Sequence, residues 1–433
     1  SLPADIFQST TRLKSVVLSK NLIAMLGSSI FESLSVLSYL DVSHNKLEFL
    51  PDGLLAENVK LKSVDISNNH LKHIDQQAID QLEQLDTLIL NNNTLTFLDT
   101  SIFSKLVYLG RLLLSSNRIE YISQFPPLSY LGELDLHDNE LQYIEDDTFA
   151  KLDSLFILDL SWNNLTDMSE WAFRNLSDLY SLNLGHNQLT TLRREWFEDF
   201  ELLSNLYLHD NLISSLEVQQ IWRLTGLYFL NLESNVISHI QPKSFNNNNR
   251  LRTLNLRNNY LRNMTEETFQ GLSSLNYLHL DENLIAGEVA EKVFFRLNPL
   301  VELNLHHNEI ASLGVFSLYK LQKLEILDLS YNQISNISPR TFRYQKNLEF
   351  LFLHHNLLME LIPDNLLGLT DIHVMDLSYN QMTYLSETGI GDLNTLSELH
   401  LANNPWDCGD CRLAWMHSRY FIIDPLDTLC SIP

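Results

Sequence analysis

Apolar positions recur along this chain with one period from end to end. In the segment 324–334 the residues run Leu324-Glu325-Ile326-Leu327-Asp328-Leu329-Ser330-Tyr331-Asn332-Gln333-Ile334. The phrase returns around Asn21, Asn45, Asn69, Asn93, Asn117, Asn139, Asn163, Asn187, Asn211, Asn235, Asn259, Asn283, Asn308, Asn332, Asn356, Asn380 and Asn404. Every step is 24 residues except Asn117 to Asn139, which is 22, and Asn283 to Asn308, which is 25. Apolar and polar letters alternate around Leu327, which predicts a short strand with its leucines turned inward. One copy cannot bury those leucines alone, so its neighbours must. The asparagine is expected to end the strand and turn inward, where its amide meets backbone groups that the turn leaves unpaired.

The back half of each repeat carries a second core mark, 14 positions before the next asparagine. Phe7, Phe31, Phe103, Phe125, Phe149, Phe173, Phe197, Phe245, Phe269 and Phe342 hold it, with Leu55, Ile79, Ile221, Leu318, Leu366 and Ile390 in the other copies. These residues predict a stacked spine on the side opposite the strands. Because Phe7 already fits the offset, the chain is expected to begin inside a repeat. The short step contains Phe125-Pro126-Pro127, suited to an irregular connector. The long step adds one residue near Gly287, and Asn246–Asn249 falls in a turn of the back side.

After Asn404 the pattern changes to Asn404-Pro405-Trp406-Asp407-Cys408-Gly409-Asp410-Cys411. This ending resembles the C-terminal cysteine cap of extracellular leucine-rich repeat proteins, and the 24-residue phrase resembles their typical repeat. Toll-like receptors, Slit-like proteins and adhesion-type ectodomains share it. The resemblance implies an α/β solenoid, a leucine-rich repeat horseshoe with a parallel concave sheet and an irregular or short-helical convex side. Residues 1–404 would form the solenoid and 405–433 a partial cap. By the family pattern Cys408 would pair with Cys430 and Cys411 with a fourth cysteine, which these 433 residues lack. The spacing also departs from the family, with C-x-x-C replacing C-x-C. Zinc is the competing use of C-x-x-C, but a second cysteine or histidine pair is missing.

Composition narrows the function. Asp and Glu number 54 against 29 Lys and Arg, a formal charge of −25. Phosphate binding needs clustered cations, so nucleic acid is disfavoured as a partner. No apolar run reaches the ~20 residues that span a bilayer, so this chain is not expected to insert in a membrane. Sequons at Asn92, Asn164, Asn175, Asn263 and Asn336, beside the cysteine cluster, favour a disulfide-bonded glycoprotein, secreted or at the cell surface. Nucleophile-elbow, zincin, P-loop and dinucleotide motifs are lacking, so neither catalysis nor a cofactor is expected.

Recognition is therefore sought in the solvent-facing letters of the strands, which line up in columns because adjacent strands lie about 4.8 Å apart. Two patches of aromatic, histidine and acidic residues stand out. One contains Trp162, His186, Tyr207, His209, Asp210 and Phe229. The other contains Tyr277, His279, Asp281, Glu282, His306, His307, Asp328, Tyr331, Phe352, His354, His355 and Tyr379. Exposed aromatics among polar groups are the usual make-up of interface hot spots. His306 and His354 lie two strands apart in one column, roughly 10 Å, too far for an obvious shared metal. Nearby carboxylates such as Asp281 and Glu282 would favour protonated imidazole, giving tighter or altered partner binding near pH 6. The expected role is a receptor or adhesion ectodomain, innate-immune or developmental, that binds a protein ligand or co-receptor on its concave face. The alternative is a secreted non-catalytic subunit that carries or stabilises an enzyme. Homodimers or heterodimers could form through either patch or through the convex edge, and a glycan at Asn92 would hinder partners near the N-terminal end.

Overall fold

The computed structural model describes residues 2–3, 5–289, 292–391 and 393–407. Cys408, Cys411 and Cys430, and with them the cysteine cap, lie outside the described residues. The chain divides into two compact units, Ser1–Leu212 and Ile213–Pro433, both made of the repeat. Each is a run of a parallel-strand solenoid with little helix.

In the first unit, three-residue strands begin with Ser15–Val17, Tyr39–Asp41 and Ser63–Asp65 and continue to Ser181–Asn183 and Asn205–Tyr207. In the second they run from Phe229–Asn231 to Glu398–His400. All pair in parallel, with equivalent letters opposite one another: Leu158 faces Leu182, which faces Leu206, and in the second unit Leu303 faces Leu327, which faces Leu351. The middle residue of each strand is apolar and points inward, usually leucine, with Val16, Val64 and Met375 in its place in three strands; Leu158, Leu182, Leu327 and Leu351 are fully buried. On the back side only single turns of helix form, such as Thr100–Phe103, Arg194–Phe197 and Pro363–Leu366.

The asparagines do what the pattern anticipates. Asn332 Nδ2 donates to Leu305 O at 2.9 Å, Leu329 O at 3.1 Å and Ser330 O at 3.1 Å. Its Oδ1 accepts from Ile310 N at 3.0 Å. One buried side chain thus joins its own turn to the preceding repeat at both ends, and the pattern repeats down each unit, as at Asn163 and Asn283.

The aromatic spine is buried as expected, with Phe125, Phe149 and Phe173 stacked in sequence at 5.9 and 6.2 Å. Phe294 belongs to it as well, stacked on Phe269 at 6.1 Å. Phe294 sits 14 residues before Asn308, so it meets the sequence criterion although it was left out of the expected spine. There the strand Ala286–Val289 pairs with Glu309–Leu313, and the register shifts between Gly287 and Glu288.

Three polar residues of the back side that the sequence reading did not single out are also part of the core. Asn58, Asn248 and Gln345 stand where most other repeats place Leu or Phe, and all are buried. Asn248 Nδ2 donates to Ile221 O and Leu224 O, both at 3.0 Å, while Asn248 Oδ1 has no hydrogen-bond partner. Asn58 repeats this arrangement on Phe31 O and Leu34 O.

Candidate functional site

The strand-side surface is built by the turn as much as by the strand. Each strand ends four residues before the ladder asparagine, so the two outer columns of letters lie in the turn. The residue just before the asparagine is left-handed in every repeat, with φ between 50 and 57°. Asn and Asp tolerate this conformation best, and they occupy it at Asn68, Asn92, Asp138 and Asn258. In five successive repeats of the second unit it falls instead on Glu282, His307, Tyr331, His355 and Tyr379.

Because the same backbone conformation recurs, those side chains leave the surface in parallel. The His307 ring stacks on Tyr331 at 4.2 Å, Tyr331 on His355 at 4.1 Å, and His355 on Tyr379 at 4.0 Å, all within 12° of coplanar. His354 meets Tyr331 edge-on at 5.4 Å and Phe352 at 6.4 Å. His306 Nδ1 lies 2.6 Å from His307 Nδ1, so one ring nitrogen donates and the other accepts. Tyr331 is 41 % exposed and Tyr379 48 %. Seven of the anticipated residues therefore form one continuous ring surface. Tyr277 and His279 lie two repeats before Tyr331, and among the described residues no ring contact joins them to it.

The remaining anticipated residues have internal duties. Asp281 is 2 % exposed, so it is not a solvent-facing letter. Its Oδ2 takes His306 Nε2 at 3.2 Å and Arg257 Nε at 3.1 Å, while Oδ1 is buried with no hydrogen-bond partner. Burial pushes its carboxyl above the usual range, against the pull of His306 and Arg257. Glu282 Oε1 takes Arg257 Nη2 at 2.7 Å. Sequence reasoning left Arg257 out of the site, although its place among Glu233, Asp281 and Glu282 in neighbouring repeats was a usable signal. Asp328 Oδ1 accepts from Ser330 N at 2.9 Å and Ser330 Oγ at 2.6 Å, closing its own turn. Asp376 and Asp41 do the same with Ser378 and Ser43. Ser161, Ser330 and Ser378 are accordingly buried.

At His355 the bias runs opposite to the expected one toward protonated imidazole. The His355 ring is held below the ordinary histidine value, chiefly by burial and then by the charge of His354, against the opposing pull of Asp376. His354 Nδ1 lies 3.3 Å from Asp376 Oδ2, but off the line of a hydrogen bond.

In the first unit Trp162 covers the His186 ring at 3.8 Å, and His209 meets His186 edge-on at 5.0 Å and Tyr207 at 6.3 Å. His186 Nε2 lies 3.5 Å from Asp210 Oδ2. The five sequon asparagines are all exposed, with Asn92 on a turn of the strand side and Asn336 on the short strand Asn336–Ile337. Among the described residues no helix is long and apolar enough to cross a membrane.

Solved structures share this architecture. A leucine-rich repeat protein of Leptospira interrogans is 28 % identical, with 96 % of each chain covered and a TM-score of 0.73. The complex of TLR13 with ssRNA13 is 23 % identical over 97 % of this chain and 79 % of that one, with a TM-score of 0.67. The plant peptide hormone receptor RGFR1 in complex with RGF2 is 23 % identical over 90 % of this chain and 63 % of that one, with a TM-score of 0.65. The last two likenesses are of fold. No curated protein matches the chain. The Leucine rich repeat family profile matches residues 11–71, 59–119, 129–189, 154–213, 177–237, 225–285 and 292–358, and the chain belongs to the leucine-rich repeat family.

Proposed function

We propose that this chain is an extracellular recognition scaffold, a receptor or adhesion ectodomain that binds a protein or peptide on the ring surface of its second unit. The observation that carries this reading is the choice of residues in the left-handed turns. A bulky residue there costs about 1–2 kcal/mol. Ring stacking offsets about 0.5–1.5 kcal/mol per pair. Stability alone would be better served by Asn or Gly, so four successive aromatic or imidazole rings at these positions point to use of their exposed edges. Rings with polar edges are the residues that dominate interface energetics. The peptide-bound plant receptor of the same fold supports a peptide or protein as the ligand class. The RNA-bound relative raises nucleic acid as a second class, but a formal charge of −25 opposes phosphate. Exposed sequons agree with a secreted or cell-surface location. No cofactor or catalytic step enters this reading.

The test is comparative capture. The biotinylated chain is incubated with extracellular fluid and membrane extract of the source tissue, alongside Tyr331→Ala, Tyr379→Ala and the back-side control Arg343→Ala. Proteins retained by wild type and by Arg343→Ala, and lost at least tenfold with both tyrosine variants, are the expected result. Capture that is identical for all four chains would reject the ring surface as the binding site.

A further inference from the structure

The first unit holds a group of side chains that the recognition reading does not use. His186, His209 and Asp210 each offer a ligand atom, and these atoms lie within 4.8 Å of one another. They come from equivalent turns of successive repeats, so the fold itself brings them together. We infer that they form a binding site for a zinc-class divalent ion, with the remaining coordination positions open to water.

Geometry comes first. Zinc bonds of 2.0–2.2 Å in a tetrahedron place ligand atoms roughly 3.3–3.5 Å apart. The His186 Nε2 to Asp210 Oδ2 distance is already 3.5 Å. The other separations need to close by only about 1 Å, within the reach of a side-chain rotation. Two imidazoles and a carboxylate are a donor set that suits zinc and its transition-metal neighbours.

The surroundings support the assignment. Gly185 lies directly beneath the His209 ring: a Cβ at this position would stand 2.4 Å from His209 Cε1 and 2.7 Å from Nε2. Every other repeat carries a residue with a Cβ at this position, from Ala402 and serines to His, Glu, Arg, Asn and Asp. Glycine here makes the space in which the imidazole lies over the turn, beside His186. Trp162, 57 % exposed, covers the other ligand ring. Such packing holds a ligand ring in orientation, as outer partners of metal sites do. Among the described residues, Asp210 pairs with His186 and with no lysine or arginine.

A second group makes the contrast. Asp281, Glu282 and His306 also gather their ligand atoms within 4.8 Å. There Arg257 already lies on both carboxylates, at 3.1 and 2.7 Å. That built-in cation would have to be displaced before a metal could bind, whereas among the described residues Asp210 pairs with no lysine or arginine. The ion would be held by residues of the first unit alone, none of which belongs to the ring stack proposed for partner binding, so the two readings fail separately.

The experiment is calorimetric titration of the folded chain with Zn²⁺ in a non-chelating buffer near pH 7.5, followed by Co²⁺ absorption spectroscopy. The wild-type chain is expected to bind one equivalent saturably and to give the intense visible bands of four-coordinate Co²⁺. His186→Ala and His209→Ala should each weaken binding at least tenfold. Gly185→Ala, which keeps all three ligands but displaces the His209 ring, should weaken it comparably. His354→Ala, in the ring stack, should bind as wild type. Circular dichroism of each variant confirms that it is folded. The absence of a saturable event, or unchanged affinity in both histidine variants, overturns the site. Unchanged affinity in Gly185→Ala overturns the role given to the glycine.

Discussion

Replacing a ladder asparagine should cost an amount set by its place in the stack. Asn332→Ala removes three donated bonds and one accepted bond from an amide that is 8 % exposed. The most damaging loss is at Ile310, whose N–H is left buried and unmatched. An orphaned buried group costs about 1–3 kcal/mol, and loss of the bonds to Leu305 O and Leu329 O adds to it. A total of about 2–4 kcal/mol is expected. Asn21 is the internal control. It is exposed, and its amide reaches only Leu18 O at 3.0 Å and Ser19 O at 3.1 Å within its own turn. Asn21→Ala should therefore cost well under 1 kcal/mol. Urea unfolding followed by circular dichroism reads the difference, as a clear fall in midpoint for Asn332→Ala and almost none for Asn21→Ala. Hydrogen exchange at the Ile310 amide adds a local reading, since its protection should drop only in the first variant. Equal midpoint shifts in the two variants would refute the argument that inter-repeat bonds, rather than local turn bonds, carry the stability.

Other expectations follow from the same geometry. Asn248→Leu installs the residue that most repeats use there. The carbonyls of Ile221 and Leu224 keep backbone partners while the orphaned Oδ1 disappears, so thermal unfolding should show a gain of about 1 kcal/mol. Gly271→Ala should destabilise by about 3 kcal/mol or more, because φ is +103° and a Cβ would meet Phe245 O at 2.2 Å; an unchanged melting temperature would contradict this. His355 titrates below its ordinary value of 6.5 in the folded chain, so the unfolded state takes up its proton first. Its contribution to stability is present above that value and is lost as pH falls through the lower folded value. The melting temperature should decline from pH 7 toward 5, and His355→Phe, which keeps a stackable ring, should flatten the decline. The Asp41 carboxyl is also lowered, since hydrogen bonds from Ser43 outweigh the effect of burial. Its contribution is lost only at acid pH, below the ordinary value of 3.8, and Ser43→Ala should narrow that acid-side loss in a pH series of unfolding midpoints.

How much of this was legible in the sequence depends on what each letter is set by. The ladder asparagines, the inward leucines and the phenylalanine spine were readable because their roles depend only on the period. The outer columns were less so. Ser330 and Asp328 look like surface residues in a one-letter pattern, yet they spend their polar atoms on each other, and no periodicity argument distinguishes a solvated serine from one locked to an aspartate two residues away. The burial of Asp281 depends on Arg257 and His306 from the repeats on either side, so it is a property of three repeats rather than one. The buried amides of Asn58 and Asn248 were obscured because the surrounding residues are polar, although their offset of 11 from the next ladder asparagine is a leucine position in most repeats.

The turn conformation then explains why both candidate surfaces arise at the same letter. A left-handed residue before every asparagine is imposed by the repeat, whatever side chain stands there. Its side chains emerge parallel and one repeat apart, so two of them interact when their chemistry permits. Planar rings produce the stack His307–Tyr331–His355–Tyr379, and Trp162 on His186 is a shorter version of the same arrangement. Where the next letter is Asp210 instead of a ring, the stack ends against a carboxylate, and a glycine at 185 admits His209 beside it. One backbone device therefore supplies either an aromatic surface or a convergent set of metal-ligand types, and the choice lies in two or three letters. Exchanging those letters tests this directly. His186→Asn together with His209→Ser should abolish cation binding while leaving the unfolding midpoint within about 1 kcal/mol of wild type, since Asn suits the left-handed turn better than His. A large loss of stability in that double variant would mean that these side chains belong to the scaffold and not to a site grafted on it.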